Sequence, residues 1–223
     1  MSEEQAFPSA PPPTDVRPAE FAAFLAARMC HDFISPASAI VSGLDLLEDP
    51  SAQDMREDAM SLIATSARKL TDLLSFTRVA FGASASAETF DARELERLAR
   101  GVFGHMRAEL EWLVEPAAVN KPAARAILNL AQMAGAALPT GGTARVRAVQ
   151  EGASLAIAAD AGGPRAKLRP EVLSGLRGEP LGEGLHGHWV QAYYVHLFLS
   201  DAGGRVFADV NDEGVVFAAT VPI

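Results

Sequence analysis

Two long stretches of helical periodicity near the start of the chain restrict the folds open to it. Over 20–48, Leu25, Met29, Phe33, Ile40, Leu44 and Leu47 recur in steps of three, four or seven and draw one apolar stripe along a helix. Asp49-Pro50-Ser51 breaks the pattern, and Ser51 with Asp54 three residues on predicts a cap for a second helix. That helix carries Met55, Ala59, Leu62, Ser66, Leu70, Leu73 and Ala80 on one seam, with Ile63 and Leu74 beside it. A small-residue linker opening at Gly82 ends it. Gly43, inside the first helix, costs about 1 kcal/mol against alanine, which predicts a close helix contact there. One hairpin has too little company to cover two apolar stripes, whereas two hairpins close into a four-helix bundle. Residues 18–82 are therefore expected to be the dimerisation hairpin of a homodimer. The alternative is that the stripes pack against the rest of the same chain.

The flanks differ in character. Residues 1–17 hold Pro8, Pro11, Pro12 and Pro13 with few large apolar residues, the composition of a disordered tail, and Pro18 suits a first helical turn. Beyond the hairpin, helices are expected at 91–106, 121–138 and 189–199. Strands are expected at 109–115, 144–150 and 154–160, with a closing hairpin of 205–211 and 215–221 around Asp212-Glu213-Gly214. This mixture predicts a two-layer α/β sandwich over 88–223, so the fold class is α plus α/β. The net charge of −9 argues against nucleic acid or an anionic membrane as partner. One cysteine, Cys30, leaves no internal disulfide and fits a reducing compartment. With no signal-peptide pattern and no apolar run long enough to span a bilayer, a soluble cytoplasmic protein is expected.

Within Arg28-Met29-Cys30-His31-Asp32-Phe33-Ile34-Ser35-Pro36, one residue stands apart from the seam. At about 100° per residue, His31 lies nearly opposite the direction of Met29 and Phe33 and faces solvent or a partner. Arg28, Ser35 and Ser38 share its face and form a polar patch suited to a docking protein. Pro36 has no N–H for the carbonyl of Asp32, and its ring crowds that carbonyl, so a bend is expected one turn beyond the histidine. A carboxylate at Asp32 near one ring nitrogen favours a proton there and leaves the other nitrogen free to attack phosphorus. A solitary surface histidine is otherwise an ordinary solvated side chain.

His31-Asp32, followed by Ser35-Pro36 on the first helix of a hairpin, resembles the phospho-acceptor box of bacterial two-component histidine kinases. The second half resembles the ATP-binding sandwich of those kinases. The stretch 129–142, beginning at Asn129, resembles the asparagine helix. Asp160-Ala161-Gly162 resembles the first glycine box and Gly182-Glu183-Gly184-Leu185 the second, while Gly203-Gly204-Arg205 resembles the closing hairpin. The chemistry departs from the family. Met133 stands where the family has a metal-holding asparagine, and a thioether suits a hard cation poorly. Pro164 replaces the last glycine of the first box, Glu183 sets a carboxylate where phosphates lie, and His186 replaces a usual glycine. Arg165, Lys167 and Arg169 are a basic cluster able to grip phosphate, or else a solvated loop or a docking patch.

This pattern is similar to the dimeric histidine phosphotransferases of bacterial phosphorelays, which pair a phospho-acceptor hairpin with a sandwich that binds no ATP. The resemblance implies that His31 takes a phosphoryl group from the receiver aspartate of a hybrid histidine kinase and passes it to receiver aspartates of response regulators. It implies no cofactor on this chain, with Mg²⁺ held by the partner receiver domain. The alternatives are a divergent ATP-using kinase and a non-catalytic dimeric adaptor. Among the remaining residues, His186 and His188 lack the company of a metal site and suit a loop or helix start. His105 and His196 read as ordinary element residues, Cys30 as a partly buried thiol, and Trp112 and Trp189 as anchors of the sandwich core.

Overall fold

A computed structural model describes residues 16–82, 88–181 and 186–223. The expected tail lies almost wholly outside the described residues, as do the 83–87 linker and the second glycine box with Glu183.

Helix α1 (Pro18–Glu48) and, after a short 3-10 turn, helix α2 (Arg56–Ala80) form a hairpin. Pro18 opens α1 as its missing N–H allows. The corner differs from expectation. Asp49 Oδ1 accepts bonds from the Ser51 backbone N–H at 2.8 Å and the Ser51 hydroxyl at 2.7 Å, and no side chain caps α2. An aspartate able to fold back on its own turn outcompetes a downstream cap. The Ser51 bonds also hold the Asp49 carboxyl below the ordinary carboxylate range. Gly43 lets the helices meet closely, since a Cβ there would fall 2.6 Å from Ile63 Cγ1 and 3.2 Å from the Ala59 carbonyl oxygen.

The apolar residues of α1 are divided between α2, a later helix and solvent. Pro36 and Gly43 are its buried residues, while Met29, Ile40 and Leu47 are half-buried. Phe21, Phe24 and Leu25 instead pack on a later helix. Ile34, Val41 and Leu44 remain exposed, as do Met55 in the 3-10 turn and Met60, Leu62 and Leu74 on α2.

The second half contains β1 (Thr89–Asp91), α3 (Ala92–Phe103), β2 (Ala108–Val114), β3 (Ala118–Asn120) and α4 (Lys121–Ala136). It continues with β4 (Gly142–Glu151), β5 (Ser154–Gly162), α5 (Pro170–Leu176), α6 (His186–Asp201), β6 (Arg205–Asn211) and β7 (Gly214–Pro222). Five strands form one sheet in the order β2-β4-β5-β7-β6, parallel only between β2 and β4, and β1 pairs with β3 in a separate ribbon. Alternation sets the layers. Ala144, Val146 and Ala148 of β4, Leu155, Ile157 and Ala159 of β5, and Val215, Phe217 and Ala219 of β7 are buried in one core with α4. The side chains between them form a helix-free face. Side-chain caps start α3 at Asp91 and α4 at Asn120.

The two halves pack against each other. Phe76, Val79 and Ala80 of α2 join the main core. Trp189, expected inside the sandwich, belongs to a second cluster with Val190 and Tyr193, against which Phe21, Phe24 and Leu25 of α1 pack. Its indole N–H donates to the Glu179 carbonyl at 2.9 Å, and its ring stacks on Tyr193. It therefore anchors the hairpin to α6. Trp112 is only half-buried at the edge of the sheet. His105 is more than an element residue, since its Nε2 lies 2.8 Å from Asp72 Oδ2 and ties the sandwich to α2.

Candidate functional site

His31 stands on the outer side of α1 with its side chain 85% exposed. Its Nδ1 lies 3.3 Å from Asp32 Oδ1, at the long end of a hydrogen bond. Consecutive residues on a helix do not face each other, so the carboxylate must reach sideways to make this contact. Its other oxygen, Oδ2, accepts from Arg28 Nε at 2.8 Å, one helical turn back. Arg28 in turn donates from Nη1 to the Gly187 carbonyl at 2.6 Å, across 159 positions of sequence. A chain of polar contacts thus runs from the start of α6 through Arg28 and Asp32 to the imidazole.

Arg28 is less exposed than its spacing predicts. Its side chain is 17% exposed, because it lies between the seam and the outer face and turns toward the sandwich. Ser35 and Ser38 are exposed near His31, as the spacing predicts. Cys30 is exposed, where a partly buried thiol was expected. At 100° per residue it lies one step outside the seam residue Met29, on a side that α2 leaves open.

An open pocket of about 350 Å³ adjoins the histidine, lined by Phe24, Ala27, Arg28, His31, Asp32 and 186–188 of α6. His186 and His188 do sit at a helix start, and His186 also packs its ring on Phe24 at 4.6 Å. Their proximity to His31 left no mark in the sequence, because it depends on how α1 crosses α6. Burial, with Arg169 and Arg28 nearby, holds the His188 imidazole below its ordinary pKa. Among the described residues no group of three or more His, Cys, Asp or Glu is placed to hold a metal ion.

The kinase-like features of the sandwich have other uses here. Asn129 is fully buried. Its Nδ2 donates to the Ala80 carbonyl at 2.8 Å and the Arg125 carbonyl at 2.9 Å, and its Oδ1 accepts from Gln191 at 3.2 Å. Gln191 also donates to Gln132 Oε1 at 2.7 Å. Met133 is 5% exposed. With Ala136, Ala137, Val172 and Phe217 it leaves a cleft of about 30 Å³, against the several hundred Å³ of a typical ligand pocket. Asp160 points away from that cleft, to the helix-free face, where it meets Arg147 at 2.6 Å. The likeness to the first glycine box therefore stops at the backbone. The period-two alternation of β5 sets the carboxylate on the wrong side. Asn129 is thus committed to bonds within the protein, and Met133 presents a thioether where a hard cation favours oxygen. Arg165, Lys167 and Arg169 are exposed, the last two at the rim of this cleft.

A sandwich packed against a helical hairpin that displays one exposed imidazole, held by a neighbouring carboxylate, fits a phosphotransferase. The chain belongs to the histidine phosphotransferase family, whose C-terminal domain matches residues 92–214. It is 32% identical to the protein phosphotransferase ChpT of Brucella abortus (strain 2308), over 93% of this chain and 98% of that protein. A solved bacterial phosphotransferase structure superposes with a TM-score of 0.80 at 31% identity, covering 93% of this chain and 98% of the other. The catalytic domain of the histidine kinase ThkA is more distant, with a TM-score of 0.48 and 17% identity over 60% of this chain and 93% of that domain.

Proposed function

We propose that His31 is the phospho-acceptor of a relay, loaded by the receiver-domain aspartate of a hybrid histidine kinase and unloaded to the receiver aspartates of response regulators. The observation that carries this reading is an imidazole held by a carboxylate at Nδ1 with its other nitrogen open to solvent. With Nδ1 protonated, the Nε2 lone pair attacks phosphorus as the bond to the donor carboxylate breaks in line on the opposite side. The donor leaves as a carboxylate. The phosphorylated ring gains positive charge, which Asp32 stabilises. In the return step the N–P bond breaks, the phosphoryl group passes to the acceptor carboxylate, and the ring departs as a neutral imidazole with Nδ1 still protonated. Mg²⁺ for both steps belongs to the receiver. Ser35 and Ser38 are assigned to the docking surface. The narrow cleft at Met133 and the structural use of Asn129 support a relay that takes no phosphate from ATP.

The hairpin supports a homodimer. Ile34, Val41 and Leu44 on α1, Met55 at the corner, and Met60, Leu62 and Leu74 on α2 give it more exposed apolar surface than a solitary hairpin keeps in water. Facing copies would bury it in a four-helix bundle.

The test is transfer from a labelled, phosphorylated receiver domain to the purified chain. Acid-labile label on the wild type and none on His31→Ala is the expected result. Label that persists on His31→Ala, or label acquired directly from ATP, would refute it.

A further inference from the structure

We infer that Arg28 is a positioning residue for phosphotransfer: it fixes the Asp32 carboxylate against His31 and takes its own position from the backbone of α6. The inference rests on the phosphotransfer reading of His31. Arg28 has two ordered partners, Asp32 Oδ2 at 2.8 Å through Nε and the Gly187 carbonyl at 2.6 Å through Nη1. At 17% exposure it offers a docking protein little surface. Asp32 has one oxygen for each neighbour, so the Arg28 bond sets the rotation that aims Oδ1 at His31 Nδ1. Without that bond an aspartate on a helix surface turns freely among its rotamers, and the sideways reach to the adjacent residue is lost.

The consequence is a choice of nitrogen. A carboxylate accepting from Nδ1–H keeps the proton there and the lone pair on Nε2. When the carboxylate drifts, the proton redistributes to Nε2, and the nitrogen facing the receiver is no longer the nucleophile. The sandwich contributes through Gly187, whose carbonyl pulls the guanidinium toward α6 and orients Nε along the helix. The second half of the chain thereby acts on the reacting ring and is more than a surface for partners.

The experiment compares wild type, Arg28→Gln, Arg28→Lys, Asp32→Asn and the double variant Arg28→Gln/Asp32→Asn as full chains. A phosphorylated receiver that labels the wild type is the donor. Arg28→Gln is expected to lower the maximal transfer rate by about 10- to 100-fold, the scale of a misplaced catalytic group, with half-saturation unchanged. Arg28→Lys, which restores a charge beside Asp32 but not both bonds, is expected to recover part of the rate. The double variant is expected to be no slower than Asp32→Asn alone, because Arg28 acts through that carboxylate. In ¹⁵N spectra of the unphosphorylated protein, His31 is expected to be an Nδ1–H tautomer in wild type and to shift toward Nε2–H in Arg28→Gln. A raised half-saturation at unchanged maximal rate would make Arg28 a receiver contact and overturn the inference, as would additive losses or an unmoved tautomer. Failure of any receiver to label the wild type would instead overturn the phosphotransfer reading itself.

Discussion

Replacing Asn129 with alanine tests whether a residue of kinase-like position has become structural. Among the described residues, Asn129 Nδ2 is the side-chain donor to the Ala80 carbonyl, at the last residue of α2, and the site is fully buried. Removing it orphans that carbonyl at a cost of about 1–3 kcal/mol. The Arg125 carbonyl lies one turn back in the same helix and keeps its intrahelical donor, so its loss counts for little. Gln191 retains Gln132 as acceptor, which limits the damage there. With a small cavity added, the total comes to roughly 2–4 kcal/mol. At a urea slope of about 2–3 kcal/mol/M, the unfolding midpoint should fall by about 1 M. Asn129→Asp should cost more, since it faces two carbonyl oxygens with a carboxylate and no donor. Equilibrium urea unfolding followed by fluorescence of the buried Trp189 provides the measurement. A midpoint for Asn129→Ala within about 0.2 M of wild type would refute the reasoning and return the residue to a ligand-binding role.

Val41→Glu should dissociate the proposed dimer into folded monomers, because the residue is 56% exposed in the single chain yet sits on the face assigned to the bundle. Sedimentation velocity with circular dichroism checks this, and an unchanged mass would count against the bundle. Gly43→Leu should destabilise the hairpin by about 1–3 kcal/mol, since even a Cβ falls 2.6 Å from Ile63, and thermal unfolding would show it. The His188 imidazole titrates below its ordinary value of 6.5 when folded, chiefly because burial disfavours its charge. The unfolded chain therefore binds more protons just below that value, and stability should decline as pH falls from about 7 to 5.5. His188→Gln should flatten that decline in urea midpoints, and an unchanged slope would contradict the assignment.

The helical hairpin, α4 and the strand pairs β4–β5 and β6–β7 were all legible, because their periodicity extends over many residues. Short elements were not. β1 and β3 have three residues each, too few for any period, and α5 lies in the stretch between 160 and 189 to which the pattern assigns no element. Pro170 followed by Glu171 was the available signal for α5, a first-turn proline with an acidic neighbour. At the site, the outward direction of His31 follows from helical geometry alone. Arg28 was misjudged because angle around a helix does not tell which angles a second element will cover. The same blindness affected Trp189, whose partner Leu25 reads as part of the bundle stripe and whose partners Phe21 and Phe24 read as nothing in particular. Tertiary crossings joined residues about 160 positions apart, and no local pattern encodes that.

The clasp between α1 and α6 also has a bearing on synthesis. His31 leaves the ribosome early, but the helix that completes its surroundings begins at residue 186, and β7, a strand interior to the sheet, comes later still. A nascent or truncated chain can wind α1 but has neither Trp189 to seat Phe21 and Phe24 nor the Gly187 carbonyl to draw in Arg28. Aborted products would thus carry the histidine without the part of its setting that α6 supplies.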